Sequence, residues 1–131
     1  MKITFISDTH TYMYDEFFKE LILPGGDVLC FSGDIMSSGY NEGELIHFLK
    51  WLSKQPYKYK IFIAGNHDRF LEDKRLIAED IISRYQDNGI VYLNNSSFEY
   101  EGLKFYGTPH QPYFCGWAFN VSDSSKLVNI Y

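Results

Sequence analysis

The chain has 131 residues, of which 45% are hydrophobic and 18% aromatic, and its formal net charge is −5. This length suits one compact domain, so we expect residues 1–131 to form a single domain. The apolar content excludes a disordered chain, and the negative charge excludes nonspecific nucleic-acid binding through an overall basic field. No apolar run approaches the roughly 20 residues that cross a bilayer, so we expect no membrane partner.

Two cysteines, Cys30 and Cys115, lie far apart with no C-x-x-C spacing. Cys30 stands in an apolar run and is expected to behave as a small buried hydrophobic residue. The apolar N-terminal stretch meets Asp8 too early for a signal peptide. These features favour a reducing compartment, and we expect a soluble cytoplasmic protein.

The N-terminal half predicts alternating strands and helices. Lys2–Ser7 is a short apolar run that is typical of a buried strand, and Val28–Ser32 is a second such run. Between them, Asp15–Leu23 predicts at best a short amphipathic helix. Asn41 opens a longer helix that Gln55 and Pro56 should end. Its apolar residues recur at helical spacing: Leu45, Phe48, Leu49 and Leu52.

The next segment continues the alternation. Tyr59–Ala64 predicts a third strand, and Ile90–Leu93 a fourth. Between them, Leu71–Gln86 predicts one helix that ends at Asn88 and Gly89. The residues that we expect on one face of this helix are Ile77, Ile81 and Tyr85.

The C-terminal third begins with a predicted β-hairpin. Phe98–Tyr100 and Leu103–Tyr106 would pair across Glu101 and Gly102. The aromatic remainder is hard to assign, although Asp123–Ile130 suits a short helix. The β-α-β-α-β-α-β alternation predicts an α/β fold with a parallel sheet covered by helices.

Polar residues follow three of the predicted strands, at the point where each strand ends. The three segments are Asp8–His10, Gly33–Asp34 and Gly65–Asp68. Because the carboxyl ends of parallel strands share one edge of a sheet, we expect these side chains to converge there. Carboxylate, amide and imidazole ligands suit Mn, Fe, Zn or Ni better than Ca. Two metal ions about 3.5–4 Å apart can activate water for phosphoryl transfer.

These three segments together resemble the calcineurin-like metallophosphoesterases. The segment from Gly107 to Asn120 is similar to the metallophosphoesterase-domain-containing branch, whose members hydrolyse phosphodiesters, including cyclic nucleotides. The resemblance implies a shortened calcineurin-like fold. It also implies a metal-dependent phosphodiesterase that acts on a small nucleotide or a similar ester through a dinuclear metal site and a bridging hydroxide.

The resemblance also implies a role for each matching residue. Asp8 and His10 would bind the first metal, Asp34 would bridge both, and Asn66 would bind the second. The cofactor would be a divalent metal, with Mn²⁺ favoured over Fe, Zn or Ni.

Two further residues match catalytic positions of the family. His67 would protonate the leaving oxygen as general acid, and Asp68 would orient it. A positioned general acid contributes about 10²–10⁴-fold in rate.

The sequence also departs from the family. Three histidine ligands that the family takes from Gly-His and Gly-His-x-His segments have no counterpart up to Tyr131. We therefore expect weak binding of the second metal and a homo-oligomer that covers exposed strand edges. Two alternatives stay open: a catalytically impaired relative that binds a nucleotide, a metal or a protein, and one part of a split enzyme.

Two residues are weaker candidates for substrate binding. His110 lies between two prolines and would contact substrate or metal, or would simply pack in a loop. Tyr12 would stack on a base, or would be an ordinary aromatic residue at the rim of the site.

Overall fold

A parallel four-stranded sheet forms the centre of the computed structural model, which describes residues 1–9, 20–36, 41–112 and 118–121. The strands lie in chain order: β1 (Ile3–Ile6), β2 (Gly26–Phe31), β3 (Tyr57–Phe62) and β4 (Ile90–Tyr92). The sequence predicted each of them within about two residues of these bounds, which is the usual uncertainty of helix and strand ends. Because all four run in the same direction, their carboxyl ends share one edge of the sheet.

The first described helix, α1 (Glu42–Ser53), covers one face of the sheet. It begins as predicted, because Oδ1 of Asn41 accepts a hydrogen bond from the N–H of Gly43 at 2.7 Å. The ring of Phe48 packs against Phe31 and Phe62, with centroid distances of 4.9 and 5.4 Å. All four apolar residues predicted on the inner face of α1 are buried.

The helical segment after β3 is broken, whereas the sequence predicted one continuous helix. It consists of α2 (Arg69–Asp73), α3 (Arg75–Ser83) and a 3₁₀ turn (Gln86–Asn88). The prediction for Ile77 was wrong, since this side chain is 52% exposed. Lys74 has a non-helical backbone, with φ −118° and ψ 46°, and this changes which side chains of the following helix face the sheet. The buried face of α3 is formed instead by Ala78, Ile81 and Ile82.

The predicted β-hairpin is present, and it packs on the opposite face of the sheet. Its strands are β5 (Ser96–Tyr100) and β6 (Leu103–Gly107). Both turn residues, Glu101 and Gly102, have positive φ angles of 49° and 81°, which a two-residue hairpin turn of this kind requires. Apolar side chains of the hairpin contact the outer face of the sheet: Phe98, Tyr100 and Phe105.

Two short parallel strands complete the described part of the chain, β7 (Gln111–Pro112) and β8 (Asn120–Val121). The helix predicted over Asp123–Ile130 lies outside the described residues, as does most of the one predicted over Asp15–Leu23. No helix in the described ranges is long and apolar enough to span a membrane. The fold class is confirmed: an α/β structure with a parallel sheet, helices and a hairpin.

Candidate metal and phosphoester site

Backbone hydrogen bonds join the carboxyl ends of the first three strands. The N–H of Asp8 donates to the carbonyl oxygen of Gly33 at 3.0 Å, so the segments after β1 and β2 are in contact. The N–H of Ile63 donates to the carbonyl oxygen of Phe31 at 3.1 Å, so the hydrogen bonding between β2 and β3 continues to the end of β3. The three polar segments found in the sequence therefore start from one edge of the sheet.

Asp8 and Asp34 share an unusual backbone conformation. Their φ angles are 60° and 56°, in the left-handed region that residues other than glycine rarely adopt. Such a conformation persists only where the surrounding structure imposes it, and it is common at functional sites. Oδ1 of Asp34 accepts a hydrogen bond from the N–H of His67 at 3.0 Å. This bond fixes the Asp34 carboxylate relative to the segment after β3.

Glycines allow the segments after β2 and β3 to approach closely. A Cβ atom at Gly65 would overlap the carboxylate and the backbone nitrogen of Asp34. A Cβ atom at Gly33 would lie 2.9 Å from the backbone of Gly65, and Gly33 also has a φ of +99°. The position of the Asp34 side chain therefore depends on the absence of a side chain at Gly65.

The buried side chain of Asp68 connects the segments that follow β2 and β3. Its side chain is fully buried, and its carboxylate accepts three backbone hydrogen bonds. Gly65 and Ile35 donate to Oδ2 at 2.7 and 3.2 Å, and Met36 donates to Oδ1 at 2.8 Å. Burial raises the pKa of the Asp68 carboxyl to about 7, while the three N–H groups lower this pKa and the charge of Asp34 raises it. Its suggested role in orienting His67 stays a prediction.

Asn66 contacts a segment that lies far away in the sequence. Its Nδ2 donates to Oε1 of Gln111 at 3.3 Å, across 45 residues. Its carbonyl oxygen accepts a hydrogen bond from the N–H of Ala118 at 2.9 Å. Gln111 was not among the predicted site residues, because no local sequence pattern indicates a contact over this separation.

His110 lies beside this contact. Its Nδ1 is 3.2 Å from Oδ1 of Asn95, and its ring meets Phe119 edge-on with a centroid distance of 5.7 Å. Burial lowers the pKa of its imidazole. A polar cleft of about 360 Å³ opens beside His110, between α2 and the segment before β5. These contacts suit a histidine packed within a loop, and contact with substrate stays a prediction.

The donor chemistry at this edge fits a divalent cation. Asp8 and Asp34 supply carboxylates and Asn66 supplies an amide oxygen, which are ligands that such ions take. The buried hydroxyl of Thr9, next to Asp8, has no hydrogen-bond partner among the described residues. His10 and Tyr12 lie outside those residues. Within the described ranges, no three His, Cys, Asp or Glu side chains form a metal-binding group, so a full ligand set would need donors such as Asn66 or His10.

Comparison with known proteins identifies the family to which the chain is similar. The family model for calcineurin-like phosphoesterases matches residues 1–129. The chain is 33% identical to human metallophosphoesterase domain-containing protein 1, over 94% of this chain and 41% of that protein.

Two Caenorhabditis elegans proteins are similar at the same level. UPF0046 protein C25E10.12 is 35% identical over 95% of the chain and 46% of its own length. UPF0046 protein K07C11.7 is 31% identical over 100% of the chain and 46% of its own length. The chain thus spans less than half the length of these relatives. With a family model that matches almost every residue, the chain belongs to the calcineurin-like phosphoesterase family.

Proposed function

We propose that this chain is a metal-dependent phosphoester hydrolase whose substrate is a phosphodiester, such as a small nucleotide ester. One observation carries the proposal. The Asp8–Gly33 and Asp34–His67 hydrogen bonds bring two carboxylates and the segment with Asn66 to one edge of the sheet. The chain belongs to the calcineurin-like phosphoesterase family, which uses divalent metals, and this supports a metal site at that edge.

In this proposal, Asp8 and His10 would hold one metal ion, Asn66 would hold a second, and Asp34 would contact both. Mn²⁺ is the proposed ion, with Fe, Zn or Ni as alternatives. When bound, the ions neutralise charge on the phosphate oxygens and lower the pKa of the attacking water. The hydrogen bond from the N–H of His67 to Oδ1, at 3.0 Å, would hold the Asp34 carboxylate in one orientation for this role.

The charge of the chain makes substrate binding depend on the metal. The formal net charge is −5, and two carboxylates lie at the proposed site. Without a cation, these carboxylates would repel a phosphodiester. We therefore expect removal of divalent ions by a chelator to abolish both substrate binding and hydrolysis.

His67 is the proposed general acid. Its backbone N–H is bonded to Asp34, and its loop is held by the buried carboxylate of Asp68. The imidazole therefore extends from a backbone whose position is fixed relative to the Asp34 carboxylate. It would donate a proton to the leaving oxygen, an effect of about 10²–10⁴-fold on the rate.

The test is hydrolysis of bis(p-nitrophenyl) phosphate by the purified chain with added Mn²⁺, compared with the monoester p-nitrophenyl phosphate. Asp34→Asn should remove the activity, because a neutral amide cannot replace a charged bridging carboxylate. Asp27→Asn is the matched control, since Asp27 contacts the backbone N–H of Lys2 near the amino end of β2. It should retain full activity.

The outcomes separate the candidate functions. Faster cleavage of the diester, lost in Asp34→Asn and kept in Asp27→Asn, supports the proposal. A faster rate with the monoester contradicts the proposed substrate class. Mn²⁺ binding without hydrolysis of either ester would instead favour a catalytically impaired binding relative or one part of a split enzyme.

A further inference from the structure

Three side-chain amides form a chain of hydrogen bonds in which donation begins at Asn66 and ends at Asn120. Nδ2 of Asn66 donates to Oε1 of Gln111 at 3.3 Å. Nε2 of Gln111 donates in turn to Oδ1 of Asn120 at 3.0 Å, and to the carbonyl oxygen of Ala118 at 3.5 Å. Both ends of the Gln111 amide are therefore engaged, and Gln111 has one orientation that satisfies all of these bonds.

Backbone hydrogen bonds hold the same residues in place. Gln111 pairs with Asn120 in the parallel β7–β8 ladder, and its N–H donates to the carbonyl oxygen of Phe119 at 3.1 Å. The N–H of Ala118 donates to the carbonyl oxygen of Asn66 at 2.9 Å. The segment that carries Gln111 is thus attached to Asn66 by both backbone and side-chain bonds.

The orientation of the Asn66 amide decides whether it can bind a cation. An amide has an oxygen end that binds metal ions and an NH₂ end that does not, and the two ends are nearly equal in size. Because Nδ2 of Asn66 donates to Gln111, Oδ1 is the end that stays available to a cation. Polar groups that orient a ligand in this way affect metal affinity strongly.

We infer that Gln111 is a positioning residue, which fixes the Asn66 amide with its oxygen directed to the proposed metal. This inference rests on the proposed function, because it takes Asn66 as a ligand. Gln111 itself would not touch the metal or the substrate, since both ends of its amide are bonded within the chain. Its effect would pass through Asn66 alone.

Two substitutions of Gln111 distinguish an effect on the orientation of the Asn66 amide from an effect on folding. Gln111→Met keeps the side-chain length and the backbone bond to Phe119, but it removes both polar ends of the amide. Gln111→Glu removes the donation to Asn120 and Ala118 but keeps an acceptor oxygen for Nδ2 of Asn66. The glutamate variant should therefore preserve the orientation of Asn66.

The experiment is calorimetric titration of the full chain with Mn²⁺, without substrate. We expect Gln111→Met to weaken binding of the second Mn²⁺ ion, the one assigned to Asn66, about 10–100-fold, and Gln111→Glu to remain close to wild type. In an Asn66→Ala background, Gln111→Met should cause no additional loss, because its partner is already absent.

Gln55 provides a structural control. Its amide is also bonded at both ends, with Oε1 accepting from the N–H of Leu23 at 2.8 Å and Nε2 donating to the carbonyl oxygen of Trp51 at 3.1 Å. Gln55 is fully buried, whereas Gln111 is partly buried. Gln55→Met should lower the urea midpoint of unfolding without changing Mn²⁺ affinity.

Each remaining outcome overturns the inference. Wild-type affinity in Gln111→Met does so and leaves the proposed hydrolase intact. Wild-type affinity in Asn66→Ala also removes Asn66 from the proposed metal ligands. An equal loss in Gln111→Met with and without Asn66, or a loss in Gln111→Glu as large as in Gln111→Met, points to a general structural effect. A wild-type chain that binds no Mn²⁺ overturns the proposed function as well.

Discussion

The buried carboxylate of Asp68 provides a test of how the segments around the site are held together. Its three backbone hydrogen bonds connect Gly65 with Ile35 and Met36. In Asp68→Ala, the three N–H groups lose their acceptor where water has little access. At about 1–1.5 kcal/mol for each lost bond, the free energy of unfolding should fall by about 3–5 kcal/mol. This is a large part of the stability of an ordinary domain.

Urea unfolding, followed by circular dichroism in a chelating buffer, measures this loss without any contribution from metal. Asp27→Ala is the control, because Asp27 also accepts a backbone N–H, from Lys2 at 2.7 Å, but in an exposed position. Its cost should be about 0.5 kcal/mol. Asp68→Asn keeps one acceptor oxygen and should lie between the two. If Asp68→Ala is no less stable than Asp27→Ala, the carboxylate does not hold these segments together.

Three further predictions concern other parts of the fold. Gly65→Ala should lower stability by about 1–3 kcal/mol and weaken Mn²⁺ binding, because the new Cβ overlaps Asp34. Gly102→Ala is the control: there is open space around its Cβ, so only stability should change. Equal Mn²⁺ affinity in the two variants would contradict this prediction. Burial lowers the pKa of Lys60, so the unfolded chain binds more protons between that lowered value and 10.5, and stability should rise with pH across this window. Lys60→Met should flatten that slope in urea titrations at several pH values, and an unchanged slope would refute the assignment. Phe5 is 71% exposed on an edge strand, so the proposed homo-oligomer should dissociate in Phe5→Asp when measured by light scattering, and a monomeric wild type at micromolar concentration would refute it.

Hydrophobic periodicity was enough to predict most of the fold. The apolar runs predicted four strands, and the helical spacing in the segment after Asn41 predicted which side chains of α1 are buried. The turn at Glu101 and Gly102 predicted the hairpin. In each case the signal is local, because the hydrophobic period of a helix or a strand can be recognised within a short stretch of consecutive residues.

The errors and omissions arise from contacts between distant residues. Ile77 was predicted on the buried face because its spacing was counted along one unbroken helix. In the structure the helix is interrupted at Lys74, and Ile77 is exposed. The bond from Asn66 to Gln111 spans 45 residues, and no local pattern predicts it. The polar residues at the strand ends were recognisable from the sequence, but the glycine contacts that fix Asp34 required the structure.

The most direct test of the proposed metal site is anomalous diffraction from a crystal of the chain soaked in Mn²⁺. We expect an anomalous peak between the Asp34 and Asp8 carboxylates, and a second, weaker peak between the Asp34 carboxylate and the Asn66 amide oxygen. The same crystal form of Asp34→Asn should show a weakened peak or none. A crystal that binds Mn²⁺ only at other carboxylates, or not at all, would contradict a metal site at this edge of the sheet.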